Sequence, residues 1–351
     1  MYFRAQYVIS DLLLEKDHPL HFNFERPAAV VALEQLPCQM REFELTHSDA
    51  LATVTIERTP SRKVGEMFAC LAEKRVHPDF RIVDLSKEEM PRDVRSWMDY
   101  GEGLRLLCDE MPHILMAFHR QSSEELLECL RRCICILRWR LSVPGPHNPI
   151  HSAKQLTKWS LDGQTWHGGL SRVKLTTSFR HSLSEEDWRL EEVARLTNDG
   201  VDEPLPHALF REAWQQREEN PRTALAMGYA AAEVGVKQCI ASLMPHAELI
   251  VMNFHSPRLQ RVLGSLLPEV LKNFGRPGAS DPPPKSMAKE IGKVGNARNQ
   301  LIHRGDLNIS KEKLEKHLRT IRDLLYLLDY YNGHDWALEN LSDTVRMALG
   351  S

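Results

Sequence analysis

What the 351-residue chain lacks narrows it first. No apolar run approaches the roughly 20 residues that a membrane-spanning helix needs. The N-terminus, Met1-Tyr2-Phe3-Arg4-Ala5-Gln6-Tyr7, has none of the basic, apolar and small-residue sequence of a secretory leader. Together these predict a cytoplasmic protein with no membrane partner. The seven cysteines are odd in number and scattered, which argues against a disulfide framework. Cys129, Cys133 and Cys135 sit in a helical pattern with no histidine pair nearby, so they read as small buried hydrophobes. His147 and His151 lie in a proline-rich loop without further ligands, so no zinc site is expected there. Neither a metal nor a cofactor is called for. Charge of one sign is also missing: 45 Lys and Arg face 48 Asp and Glu, a net charge of −3 that excludes a globally basic nucleic-acid binder. There is no internal repeat and no long low-complexity tract.

What is present is ordinary globular composition, 42% apolar and 26% charged, in a chain long enough for two domains. The first sixty residues alternate like half-buried strands at 2–9, 21–24 and 52–56. From Val64 the texture turns helical, through 66–71, 92–108 and a stronger helix opened by Ser122-Ser123-Glu124-Glu125 and stopped near Leu141. Asp162-Gly163, flanked by Trp159-Ser160-Leu161 and Gln164-Thr165-Trp166, is a favoured hairpin turn, and 173–177 offers a third strand. Ser184 and Asp187 resemble a capping box for a helix to Leu196. The first part, residues 1–197, thus reads as an α+β domain suited to sensing or regulation. Residues 198–206, with Pro204 and Pro206, read as a linker. Residues 207–351 read as an all-α bundle of up-down helices: 207–218, 221–243 behind the Asn220 cap, 256–274, 284–305, 311–331 behind the Ser310 cap, and a tail at 335–349.

Within that bundle the helix at 284–305 carries the chemistry. Its apolar stripe is Met287, Ile291, Val294 and then Leu301/Ile302, and Arg298 occupies a stripe position where a guanidinium needs a partner or a cleft. Asn299 stands four residues before His303, so the two share a face in the last turn. Arginine, amide and imidazole at one helix end suit chemistry on a phosphate. Residues 285–323 carry ten Lys/Arg against five acids, a local balance of +5, whereas 185–203 carries eight acids against two arginines, −6. The basic stretch is equally a polyanion-binding surface or a solvated face of paired charges. Glu233 has two readings, a partner that aims Arg298 or an exposed pair with Lys237 four residues on. Gly292 and Gly295 follow no strand, so they read as close-packing positions rather than a phosphate loop. Tyr326, Tyr330 and Tyr331, at helical spacing among leucines, read as core rather than as base-stacking platforms.

The run Ala297-Arg298-Asn299-Gln300-Leu301-Ile302-His303 resembles the signature of the HEPN superfamily, an arginine, a polar companion and a histidine after four to six intervening residues. The small-residue-rich helix 223–233 is similar to one of that family's helices, and the resemblance covers roughly 207–331, closest to the Apea-like group. It implies a metal-independent endoribonuclease, a homodimer whose two motifs share one cleft, with RNA as substrate and Arg298, Asn299 and His303 in the catalytic roles. It further implies a toxin or antiphage defence effector, with a trigger of unknown identity acting at the N-terminal domain. In such a site the 2′-hydroxyl attacks the phosphodiester, Arg298 would stabilise the phosphorane, and His303 would act as general acid or base. The alternative is a non-catalytic module that binds RNA or a protein partner, with the motif structural.

Overall fold

The strand Leu20–Glu25 alternates without exception: Leu20, Phe22 and Phe24 are buried, and His21, Asn23 and Glu25 are exposed. That period of two places it on a sheet with one wet face, and the computed structural model shows such a sheet. The structure describes residues 1–9, 13–14, 20–25, 28–35, 40–41, 44–45, 50–87, 89–90, 97–101, 104–143, 150–168, 182–183, 187–253, 258–279, 281–304 and 309–349. The chain forms two compact units. One comprises Met1–Ile134 with Asn148–Val201, and the other Cys135–His147 with Asp202–Ser351.

In the first unit the five-stranded sheet runs in the order Ile150–Ser160, Tyr2–Ile9, Ala50–Glu57, Ala28–Gln35, Leu20–Glu25, and every neighbouring pair is antiparallel. Phe3, Ala5, Tyr7 and Ile9 turn one face of the second strand, Tyr2–Ile9, into the core. Helix α1, Arg62–Ala72, begins where the Ser61 hydroxyl accepts the Val64 N–H and buries Val64, Met67, Phe68 and Leu71. Phe68 meets Phe3 edge-on at 6.0 Å and Trp159 at 4.8 Å, and Phe118, on helix α2 (His113–Arg140), closes the cluster 5.7 Å from Phe3. Helix α3, Asp187–Asn198, returns to this unit, where the Asn198 side chain accepts the Glu25 N–H.

Several expectations change here. The helical reading of 92–108 fails where the segment is described: Trp97–Gly101 and Leu104–Leu107 are strands, and Leu104–Leu107 pairs with Trp97–Gly101 on one side and Ile82–Asp84 on the other. Helix α2 begins nine residues before Ser122, whose hydroxyl instead donates back to the Phe118 carbonyl. Asp162-Gly163 lies in a bend over 161–165 rather than in a two-residue hairpin turn. Gly163 has φ +78° and the Asp162 carboxylate accepts the Gln164 and Thr165 N–H groups, which with Ser160 hold its carboxyl below the usual carboxylate range. The strand beyond it shrinks to one bridge, Trp159 with His167. The third strand at 173–177, the Ser184 cap and the His147 and His151 side chains lie outside what is described.

Burial pushes the Tyr7 phenol from its ordinary 10.0 up to about 12, and does the same for Tyr100. A phenol harder to ionise when folded holds its proton longer than in the unfolded chain, so stability is intact below pH 10 and falls as pH rises from 10 toward 12. Absorbance at 295 nm should therefore show these two phenols ionising only together with loss of near-ultraviolet circular dichroism. Ionisation that precedes unfolding, at the pH of free tyrosine, would contradict this burial.

The second unit is helical apart from its connections. Helix α4 spans Leu205–Gln215 and α5 spans Pro221–Leu243, with the Asn220 side chain accepting the Thr223 N–H and proline at the first position. After the short α6 (Glu248–Asn253) come α7 (Leu259–Arg261), a wide turn at Val262–Leu266, and α8 (Leu267–Phe274). Helix α9 spans Lys285–Arg304 and α10 spans Lys311–Tyr331 behind the Ser310 cap. The tail is a 3₁₀ segment, Asp335–Asn340, and α11, Asp343–Leu349, rather than one helix.

Small residues on α5 let α10 approach. A methyl on Gly228 would sit 2.8 Å from a Leu318 Cδ, and one on Gly235 2.8 Å from a Leu325 Cδ. Leu314, Leu318, Ile321, Leu324, Leu325 and Leu328 are all buried on α10. Tyr326 and Tyr331 join them as core, and Tyr330 donates its hydroxyl to the Gly278 carbonyl. Of the three clustered cysteines only Cys133 is buried, Cys129 and Cys135 being half-buried; Cys70, Cys108 and Cys239 are buried as well, and burial pushes the Cys239 thiol up to about 12.

Gly292 on α9 faces a side chain. A Cβ there would lie 2.7 Å from Gln260 Cδ and 3.3 Å from its Cβ. The branched Gly292→Val cannot be relieved by moving only the tip of Gln260. It should destabilise the second unit by about 1–3 kcal/mol in urea unfolding despite the better helix propensity of valine over glycine.

Candidate functional site

The apolar stripe of α9 ends earlier than its spacing suggests. Met287, Ile291 and Val294 are buried, but Leu301 is only half-buried and Ile302 is 55% exposed. The packed part of the helix therefore stops one turn before Arg298, and the motif occupies an emerging end. The emerging end explains how a guanidinium is tolerated at a stripe position: its side chain is 32% exposed rather than sealed in the core.

Two residues of α5 hold Arg298 on its inner side. Its Nη2 lies 3.7 Å from Glu233 Oε2, and its guanidinium carbon stands 5.2 Å from the centroid of the Tyr229 ring. A half-exposed ion pair of this length contributes about 1 kcal/mol or less, and the cation–π contact a similar amount. Their effect is to fix direction more than to stabilise. Of the two readings of Glu233, the pairing with Arg298 is formed. Tyr229 is the residue that periodicity did not single out. Burial pushes its phenol above the ordinary range, the Glu233 charge adds to this, and the Arg298 charge opposes it. Its place at i−4 from Glu233 on a helix already suspected of facing Arg298 was the available signal.

Gly295 lets this contact form. A Cβ at that position would stand 3.0 Å from the Tyr229 hydroxyl and 3.2 Å from its ring. The close approach is thus between helix backbone and an aromatic side chain.

Asn299 also turns toward the arginine, its Oδ1 accepting a hydrogen bond from Arg298 Nη1 at 3.1 Å. The amide's acceptor is used on the guanidinium and not on the imidazole, which leaves its N–H₂ donors for another group. His303, one turn on, is exposed and makes no hydrogen bond to a described residue. Arg298 and His303 are five residues apart on a regular helix, about 140° around its axis. Arg298, Asn299, Glu233 and Tyr229 are therefore brought together, while His303 stands beside them without touching.

The surrounding charge is more balanced than the count suggests. Lys293 pairs with Glu290 at 2.8 Å, Lys311 with Glu218 at 3.0 Å, and Arg319 with Glu315 at 3.0 Å. His317, 1% exposed, lies 3.2 Å from Glu290, and its burial pushes its pKa down. Among the described residues no group of three or more His, Cys, Asp or Glu is placed to hold a metal ion. No helix among them is long and apolar enough to cross a membrane. No family model matches the chain, and neither a curated protein nor a solved structure matches it.

Proposed function

We propose that the second unit is a HEPN-type endoribonuclease that cleaves RNA by attack of the 2′-hydroxyl on the adjacent phosphodiester. The observation that carries this reading is the Arg298 guanidinium held at an emerging helix end by Glu233, Tyr229 and Asn299, with an exposed imidazole one turn further. A fork of donors fixed in direction matches the non-bridging oxygens of a phosphate. His303 is free to meet substrate or a second chain, and two such histidines in a dimer would supply one acid and one base. The first unit would restrain or trigger the nuclease, and the protein would act in the cytoplasm as a toxin or defence effector.

Incubating the purified chain with mixed RNA in excess chelator tests the reaction, and static light scattering tests the assembly. Cleavage that persists in chelator, from a dimer at micromolar concentration, is the expected result. A monomer without cleavage would remove the proposal.

One observation favours a rival. Arg298 already has a carboxylate and an amide partner, which is how a structural arginine looks. On that reading the bundle binds RNA or a partner without cutting, and binding survives loss of both Arg298 and His303.

A further inference from the structure

The second unit contains a cavity that uses neither Arg298 nor His303. It measures about 70 Å³, is partly open to solvent, and lies among the end of α2, α4 and α10. Its walls carry Trp139, Phe210, Trp214 and Tyr326. Trp139 is 1% exposed and Trp214 half-buried, so depth runs from Trp214 to Trp139.

The polar groups of this cavity are unevenly matched. Arg211 is 7% exposed and gives both terminal nitrogens to the Glu203 carboxylate, leaving its buried Nε–H without an acceptor. Arg322 lends Nη2 to Asp323 at 3.2 Å, and its buried Nε–H likewise has no acceptor. Two of the lining oxygen groups are engaged, the Glu203 carboxylate by Arg211 and the Tyr326 hydroxyl as donor to the Trp139 carbonyl at 2.8 Å, and the Ser142 hydroxyl also lines the cavity. A buried donor left unmatched is costly, so donors without acceptors beside a cavity call for an occupant that accepts. Each guanidinium already has a carboxylate partner, so the occupant has to bring an acceptor to each of the two Nε–H groups, and a carboxylate carries two.

We propose that this cavity binds a small aromatic monocarboxylate, its carboxylate between Arg211 and Arg322 and its ring against the aromatic wall. The volume excludes a whole nucleotide, since sites for such ligands run from about 300 Å³ upward. It is also less than the roughly 150 Å³ that encloses a benzene ring, so only the carboxylate end is enclosed and the ring lies at the open mouth beside the half-buried Trp214. Charge and aromatic lining together select against both aliphatic anions and neutral rings.

Benzoate is the probe, titrated into the full chain, with acetate, inorganic phosphate and benzyl alcohol as comparisons. The readouts are the indole N–H resonances of Trp139 and Trp214 and the melting temperature. Benzoate should shift both resonances saturably and raise the melting temperature. Acetate, phosphate and benzyl alcohol should each bind at least about tenfold more weakly, the effect of losing one charge-assisted hydrogen bond or the ring contact. Arg211→Gln would strand Glu203 and endanger the fold, so the test variant is Arg322→Met, whose side chain is 34% exposed. It should fold and lose about tenfold in benzoate affinity. No saturable response up to about 10 mM benzoate, equal binding of benzyl alcohol, or unchanged affinity in Arg322→Met would each overturn the proposal.

Discussion

Arg298→Ala and His303→Ala should each abolish most RNA cleavage while leaving the fold intact. The arginine is asked to stabilise charge that appears on the phosphorane, and removing one such preorganised donor slows comparable reactions by about 10²–10³. The histidine is asked to move a proton, a role worth about 10²–10⁴. His303 is exposed, so its loss should not move the melting temperature; Arg298 loses only a half-exposed pair, and its cost should stay near 1 kcal/mol. Arg298→Lys should not restore activity, because an ammonium lacks the planar fork that meets two phosphate oxygens. The double variant should be scarcely worse than either single one if the two act in one step. Equal activity in wild type and His303→Ala would leave the motif structural. Glu233→Gln separates aiming from chemistry: it should lower turnover less than Arg298→Ala does and leave the pH profile of the remaining activity unmoved.

The largest stability effect is expected at Asp329. Its carboxylate is 5% exposed and receives the Trp139 indole N–H at 2.8 Å, while His207 Nε2 stands 2.7 Å from the same oxygen. One oxygen thereby ties the end of α2 and the start of α4 to α10. Asp329→Ala strips the Trp139 indole of its acceptor inside the core, removes the carboxylate beside His207 and opens a void. The stranded indole donor and the void together should destabilise the second unit by about 2–4 kcal/mol. Asp329→Asn keeps the shape and one acceptor and should cost clearly less. Urea unfolding followed by circular dichroism reads both, and an alanine variant within 1 kcal/mol of wild type would show that the network contributes little.

Much of the architecture was legible because it is written in short-range signals. The Asn220-Pro221 and Ser310 starts are local hydrogen-bond chemistry, and both caps form. The strands at 2–9, 21–24 and 52–56 follow from alternation, which any sheet with one wet face must obey. The helical reading failed at 97–101 and 104–107 for the complementary reason. The pattern of charges and leucines there fits a helix as well as it fits two short strands, and pairing with Ile82–Asp84 decided between them. The strand Ala28–Gln35 escaped because alanine and valine in a run carry no alternation to read.

At the candidate site the division is similar. Sequence by itself determined that an arginine, an amide and a histidine lie in the last two turns of one helix, because residue identity and helical spacing are local properties. Only the tertiary structure decided that the stripe stops at Val294, that Glu233 and Tyr229 take the guanidinium from the side, that Asn299 serves Arg298 rather than His303, and that one carboxylate at 329 joins three helices. Those outcomes depend on which helix faces which. Facing is set by the sum of many apolar contacts far apart in the chain, of which a single stretch of residues carries no record.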